Sequence, residues 1–316
     1  MTRSSGISRR EFNVSLLGVA AAAAVPHTLP AKNTEKRFRL NYILSSAMFG
    51  GGKLADIVPE VKKTDATAID IWPKVHGTQR EQIEEMGHDK FAALLKQNNV
   101  KLGGIACYRL GPFGLQKEMR FASKIGGRGV VLVCGARGPK DVKGDELRAA
   151  LKKFIEQLKP HVAVAEETGC VIAVENHSNS LVESPDSIRW FGEFAKSDHL
   201  GIAFAPHHLP QDSKLIGQIA DELGPKTKFV YAQQHGMGSS KKLPKEQEML
   251  QMPGRGPLDF TPLLAALKKH NYQGYTEIFM HPVPRGVPIL DSTDAITAEI
   301  NRSRKYLEKC LKSLSS

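Results

Sequence analysis

The chain of 316 residues has few cysteines, few tryptophans and a shortage of acid. Its four cysteines, Cys107, Cys134, Cys170 and Cys310, make no Cys-x-x-Cys pair and no Cys/His zinc pattern. That argues against a disulfide-stapled small domain and against a structural zinc module. Cys107, Cys134 and Cys170 fall in separate apolar runs and read as buried thiols acting as small hydrophobes. No Pro/Gly/Ser linker and no low-complexity block divides the chain, and nothing beyond residue 31 reads as a membrane span, which needs about 20 apolar residues. Lys and Arg number 44 against 33 Asp and Glu, a net charge of +11. Such an excess permits an anionic partner. The lysines, however, alternate with apolar positions in stretches such as Leu151–Lys159 and Leu263–His270, as on solvated helix faces.

The N-terminus reads as an export signal. Ser8-Arg9-Arg10-Glu11-Phe12 is a twin-arginine signature, followed by an Ala-rich apolar run from Val14 to Val25 and small residues suited to cleavage near Ala24 or Ala31. The expectation is a signal over residues 1–31, one domain over 32–316, no membrane span after signal removal, and a periplasmic or extracellular destination. A retained signal anchor is the second reading.

What remains is dominated by eight short apolar runs: Phe38–Leu44, Ala66–Trp72, Lys101–Tyr108, Gly129–Cys134, Gly169–Glu175, Leu200–Ala205, Lys228–Ala232 and Gly274–Ile278. Most are separated by stretches of helical periodicity, including Gln79–Gln97, Lys143–Thr168 and Thr293–Ser313. Strand then helix, eight times, is the pattern of an α/β fold of the (β/α)8 type, a TIM barrel. Pro160 predicts a kink or break in the helix after the fourth strand. Ser184 before Pro185, and Thr261 before Pro262, read as helix starts. A barrel of this kind gathers its chemistry at the C-terminal strand ends.

Four consecutive strand ends carry the candidates. They read Glu175-Asn176-His177, Ala205-Pro206-His207-His208, Gln233-Gln234-His235 and Glu277-Ile278-Phe279. A carboxylate that follows an apolar strand is costly to bury unless it is paired or bound to metal. Two such carboxylates with several imidazoles at one mouth point to a divalent ion, and the donors suit Mn²⁺, Zn²⁺, Co²⁺ or Fe²⁺. Weaker candidates at the same mouth are Asp70, Trp72, Tyr108, His177, Arg255, His281 and Arg285. Trp72 is a platform for a sugar face or else a core residue, and Arg255 is a contact for an anionic or polyhydroxylated substrate.

With these residues the chain resembles the xylose-isomerase-like TIM barrels, from about residue 38 onward. That family includes sugar isomerases, ketose 3-epimerases, inosose dehydratases and, more distantly, endonuclease IV. The family's strand-five Glu, strand-seven His and strand-eight Glu fall at Glu175, His235 and Glu277, and its Pro-Gly-x-Gly with a following Asp-Phe stands at Pro253–Gly256 and Asp259–Phe260. The family's strand-six Asp-x-x-His is Ala205-Pro206-His207-His208 here, so the carboxylate is missing.

The resemblance implies one divalent metal held by Glu175, His207, His235 and Glu277. His207 stands in for the lost Asp because residues two apart on a strand share a face. Glu175 and Glu277 are implied as acid and base, and His208, His177, Gln233, Trp72 and Arg255 as substrate contacts. Gln233 shares a face with His235 and is an alternative strand-seven contact. The implied activity is isomerisation or epimerisation of a keto sugar through an enediolate, or a sugar lyase or dehydratase reaction. The rival is a carbohydrate-binding barrel without turnover, favoured by the missing carboxylate. The export signal and the lack of a trinuclear His/Asp ligand set argue against an endonuclease and a nucleic-acid partner. No phosphate-binding motif is evident, which favours a free sugar or glycoside over a sugar phosphate.

Overall fold

A computed structural model describes residues 38–236 and 240–314; the leader lies outside them. Eight strands close into one barrel in sequence order: β1 Asn41–Ser45, β2 Ala68–Ile71, β3 Lys101–Ala106, β4 Val131–Gly135, β5 Val171–Glu175, β6 Leu200–Phe204, β7 Thr227–Ala232 and β8 Tyr275–Ile278. Every neighbouring pair is parallel, including β8 with β1. Each strand lies within two or three residues of an apolar run in the sequence, and most strand positions are buried. Covering a parallel sheet on both faces makes its strands continuously apolar rather than alternating.

The helices are α1 Leu54–Ile57, α2 Glu60–Lys63, α3 Gln79–Met86, α4 His88–Gln97, α5 Gln116–Gly126, α6 Gly144–Thr168, α7 Pro185–Phe194, α8 Ser213–Leu223, α9 Lys245–Glu248, α10 Thr261–Lys269 and α11 Thr293–Ser313. Leu151, Phe154 and Leu158 of α6 and Phe191 of α7 are buried in the core between helices and barrel. The start of α7 has a full capping box. Ser184 accepts from the amide of Ser187, and Ser187 Oγ accepts from the amide of Ser184. Asp212 caps α8 by accepting from the amides of Lys214 and Leu215. No helix among the described residues is long and apolar enough to cross a membrane.

Three expectations need correction. Pro160 does not break α6, which runs unbroken for 25 residues. The proline sits on the exposed face, where water can satisfy the carbonyl that loses its donor. The expected helix over Gln79–Gln97 is two, divided at Gly87, whose φ of 87° only glycine adopts readily. Thr261 is the first residue of α10 rather than its cap, and Asp259 accepts from its amide.

Two register shifts lie beside the mouth. Ile69 pairs with Leu102 but Asp70 with Gly104, and Ile202 pairs with Thr227 but Ala203 with Phe229. Such bulges re-aim a side chain at a barrel rim. The first sets Asp70 opposite Gly104 of β3, while on its other side Asp70 stays in regular register with Ser45 of β1.

Candidate active site

Glu175 ends β5 and is buried. The next residue, Asn176, fixes its neighbour strand. Its Nδ2 donates to the carbonyl of Ala205 at 2.9 Å, and its Oδ1 accepts from the Ala205 amide at 2.8 Å. This two-way clasp docks the exit of β6 onto that of β5. Pro206–His208 then make one 3₁₀ turn. The expectation that His207 reaches the site by strand parity is therefore wrong in its reason, since the strand has ended at Phe204. A tight turn instead swings two consecutive imidazoles inward, with ring centroids 4.0 Å apart.

Glu175, His207 and His208 each offer a ligand atom within 4.8 Å of the others. His208 Nε2 lies 3.8 Å from Glu175 Oε1. Both ring nitrogens of His207, and Nε2 of His208, are buried without a hydrogen-bond partner. His208 Nδ1 meets Ser178 Oγ at 3.2 Å. With its Nδ1 proton given to Ser178, the ring presents an Nε2 lone pair. Burial holds both imidazoles in the neutral form that binds metal, His207 well below its ordinary range and His208 down to about 3, with the neighbouring His177 adding to the shift. Burial raises Glu175 to about 7. One carboxylate and two neutral imidazoles with unsatisfied nitrogens fit a borderline divalent cation.

Glu277 and Asp70 form a second group, brought together across β1. Glu277 is in register with Ile43 and Tyr231, and Asp70 with Ser45. Both are completely buried. Burial pushes Glu277 well above the carboxylate range and the Asp70 charge pushes it further. Burial raises Asp70 to about 7, restrained by a proton shared from Glu277. Two carboxyls this close in a dry site do not both ionise. Between the groups, the hydroxyls of Tyr108 and Tyr231 meet at 3.1 Å.

The remaining candidates divide. His235 is exposed, its amide donating to Gln211, and it stands outside the donor group, as does Glu277. Strand parity does not reach it, because β7 ends at Ala232 and the chain then turns, Gly236 N donating to Gln234 O. Gln233, one residue past β7, is buried; its Nε2 donates to Gln251 and its Oε1 is unpaired. His177 is exposed, its ring 3.9 Å from that of His208. Trp72 is buried and stacked on Phe279 at 5.0 Å and 12°, which takes up one of its faces.

Arg255 is committed elsewhere. Its guanidinium grips Glu299 of α11 through two bonds of 2.7 and 2.6 Å, so its expected role as a substrate contact gives way to a structural one.

Tyr231, Asn176, His76 and Gln251 were missed by the sequence reading. Tyr231 lies two residues before Gln233 and could have been found by strand parity. Asn176 and His76 sit in loops and Gln251 in a short 3₁₀ turn, none of which carries a periodic signal.

A sequence profile described as a xylose isomerase-like TIM barrel matches residues 58–306. No curated protein matches the chain. Among solved structures, the IolI protein with a bound zinc atom is 14% identical, with a TM-score of 0.64, and the match covers 87% of this chain and 99% of that one. A 3-keto-D-glucoside 4-epimerase from E. coli is 16% identical, with a TM-score of 0.62, over 84% of this chain and 100% of that one. A D-psicose 3-epimerase from Clostridium cellulolyticum H10, solved with D-tagatose, is 14% identical, with a TM-score of 0.62, over 86% and 99%.

Proposed function

The chain belongs to the xylose isomerase-like TIM barrel family, and from that premise we propose that it is a metal-assisted isomerase or epimerase of a keto sugar or sugar derivative. The observation that carries this reading is the pairing of a carboxylate–imidazole donor group with a separate buried carboxyl pair at one barrel mouth. The sugar epimerases among the similar structures and the zinc bound in the IolI protein agree with it.

A divalent cation held by Glu175, His207 and His208 would polarise a substrate carbonyl and acidify the adjacent C–H. The chain's own groups then handle the proton. Glu175, its charged form favoured once a cation sits beside it, would take that proton. Glu277 keeps its proton through burial and through Asp70, and so is the donor from the strand-eight side. The Tyr108–Tyr231 hydroxyl pair is placed to hold a substrate oxygen. The export signal over residues 1–31 belongs to the same proposal, with the sugar met outside the cytoplasm.

The test is turnover of keto sugars by Glu277→Gln, which keeps the shape of the side chain. The reading requires loss of turnover with an unchanged melting temperature; substantial activity in the variant would sink the acid/base assignment.

A second reading is a carbohydrate-binding barrel without turnover. Ala205 favours it, standing where the family carries a strand-six Asp. It requires sugar binding without metal and without product.

A further inference from the structure

His207 is the least tethered member of the donor group. Both of its ring nitrogens are buried without a hydrogen-bond partner among the described residues, so no polar contact of its own aims the ring. Its direction comes from the main chain that carries it, the single turn Pro206–His208. Whatever holds that turn decides where the two imidazoles point.

Asn176 holds the entrance. It is completely buried, and its side-chain amide takes up both main-chain groups of Ala205. Nδ2 donates to the carbonyl at 2.9 Å, and Oδ1 accepts from the N–H at 2.8 Å. The same carbonyl accepts from the amide of His208 at 3.2 Å, which closes the turn. Asn176 directly follows Glu175. One side chain therefore fixes the span between the carboxylate on one side of the donor group and the imidazoles on the other.

Gln211 holds the exit. Its Nε2 donates to the carbonyl of Pro206 at 3.0 Å and to that of Leu209 at 2.9 Å. Its Oε1 accepts from the amide of His235 at 2.9 Å, which ties the turn to the chain beyond β7. Gln211 itself is exposed, whereas Pro206 and His207 are buried. Neither amide belongs to the donor group. A turn clamped at both ends needs no ordering by the ion, and a ligand set placed in advance binds more tightly than one that the ion must gather.

We propose that Asn176 and Gln211 are positioning residues, which together preset His207 and His208 for a divalent cation and so set the affinity and the coordination geometry at this mouth. The inference rests on the donor-group reading above.

The test is Co²⁺ titration of the metal-free full-length protein, followed by visible absorption and paired with thermal melts of the metal-free form, for the wild type, Asn176→Ala and Gln211→Ala. Co²⁺ affinity in Asn176→Ala is expected to fall by roughly 10–100-fold. The visible band of the complex that remains should shift in position or intensity, because a displaced imidazole alters the coordination. Gln211→Ala, at an exposed position, should keep the wild-type melting temperature and still weaken Co²⁺ binding, so it carries the test should Asn176→Ala fail to fold. A role in stability alone would lower the melting temperature and leave the Co²⁺ affinity and band untouched. Wild-type affinity and band in either variant overturns the proposal while leaving the donor group standing. No Co²⁺ bound by the wild type overturns the donor-group reading and the proposal with it.

Discussion

Oδ1 of Asp70 stands where the side chain of residue 104 would begin: a Cβ added to Gly104 would meet it at 2.6 Å. The carboxyl pair at the barrel mouth therefore depends on a glycine in the neighbouring strand. Gly104→Ala is expected to push Asp70 off Glu277, lowering stability by about 1–3 kcal/mol and turnover more steeply than the substrate KM. Thermal melting and steady-state kinetics check it.

Removing a donor should empty the metal site. Glu175→Ala and His208→Ala are each expected to lower bound Mn, Zn, Co or Fe from about one equivalent by tenfold or more. Ser178→Ala, which frees His208 Nδ1, should weaken retention by roughly 10–100-fold. Elemental analysis of dialysed protein reads all three; unchanged metal in Glu175→Ala would remove this group as the binding site.

The carboxyl pair gives the metal-free protein a definite pH dependence. Asp70 is raised from 3.8 to about 7 on folding, so the folded state binds more protons than the unfolded state between those values. Its stabilising proton is fully present below about 4 and is lost as pH rises towards about 7. Asp70→Asn should flatten that fall, gaining stability relative to the wild type at pH 8 and losing the gain at pH 4. Denaturant melts across this range decide it.

Arg255 should prove structural. It holds Glu299, which is nearly buried, together with Arg302. Arg255→Ala is expected to cost about 1–2 kcal/mol, a fall of a few degrees in Tm, with KM unchanged. A large rise in KM would return Arg255 to the substrate.

The barrel was legible because a parallel sheet buried on both faces writes each strand as an apolar run, and eight such runs leave few alternatives. Glu175 and Glu277 were legible as carboxylates ending such runs. Less legible was anything past the last paired residue. The side of the site that His207, His208 and His235 reach is decided by turns after β6 and β7, where the period of two no longer applies. The short helices α1 and α2 and the division at Gly87 escaped for a similar reason: segments of four residues carry too little periodicity. The Asp70–Glu277 pairing is a matter of register, since the two are joined only by barrel closure through β1.

Gln251 has a consequence beyond its own bonds. It accepts from Gln233 at the end of β7 and clasps the main chain of His281 beyond β8. One amide side chain thus yokes two exit loops, so a ligand that displaces either must report itself at the other. A fluorophore on the exposed His235 side would then register events at His281, giving occupancy of the β8 side a signal that needs no turnover.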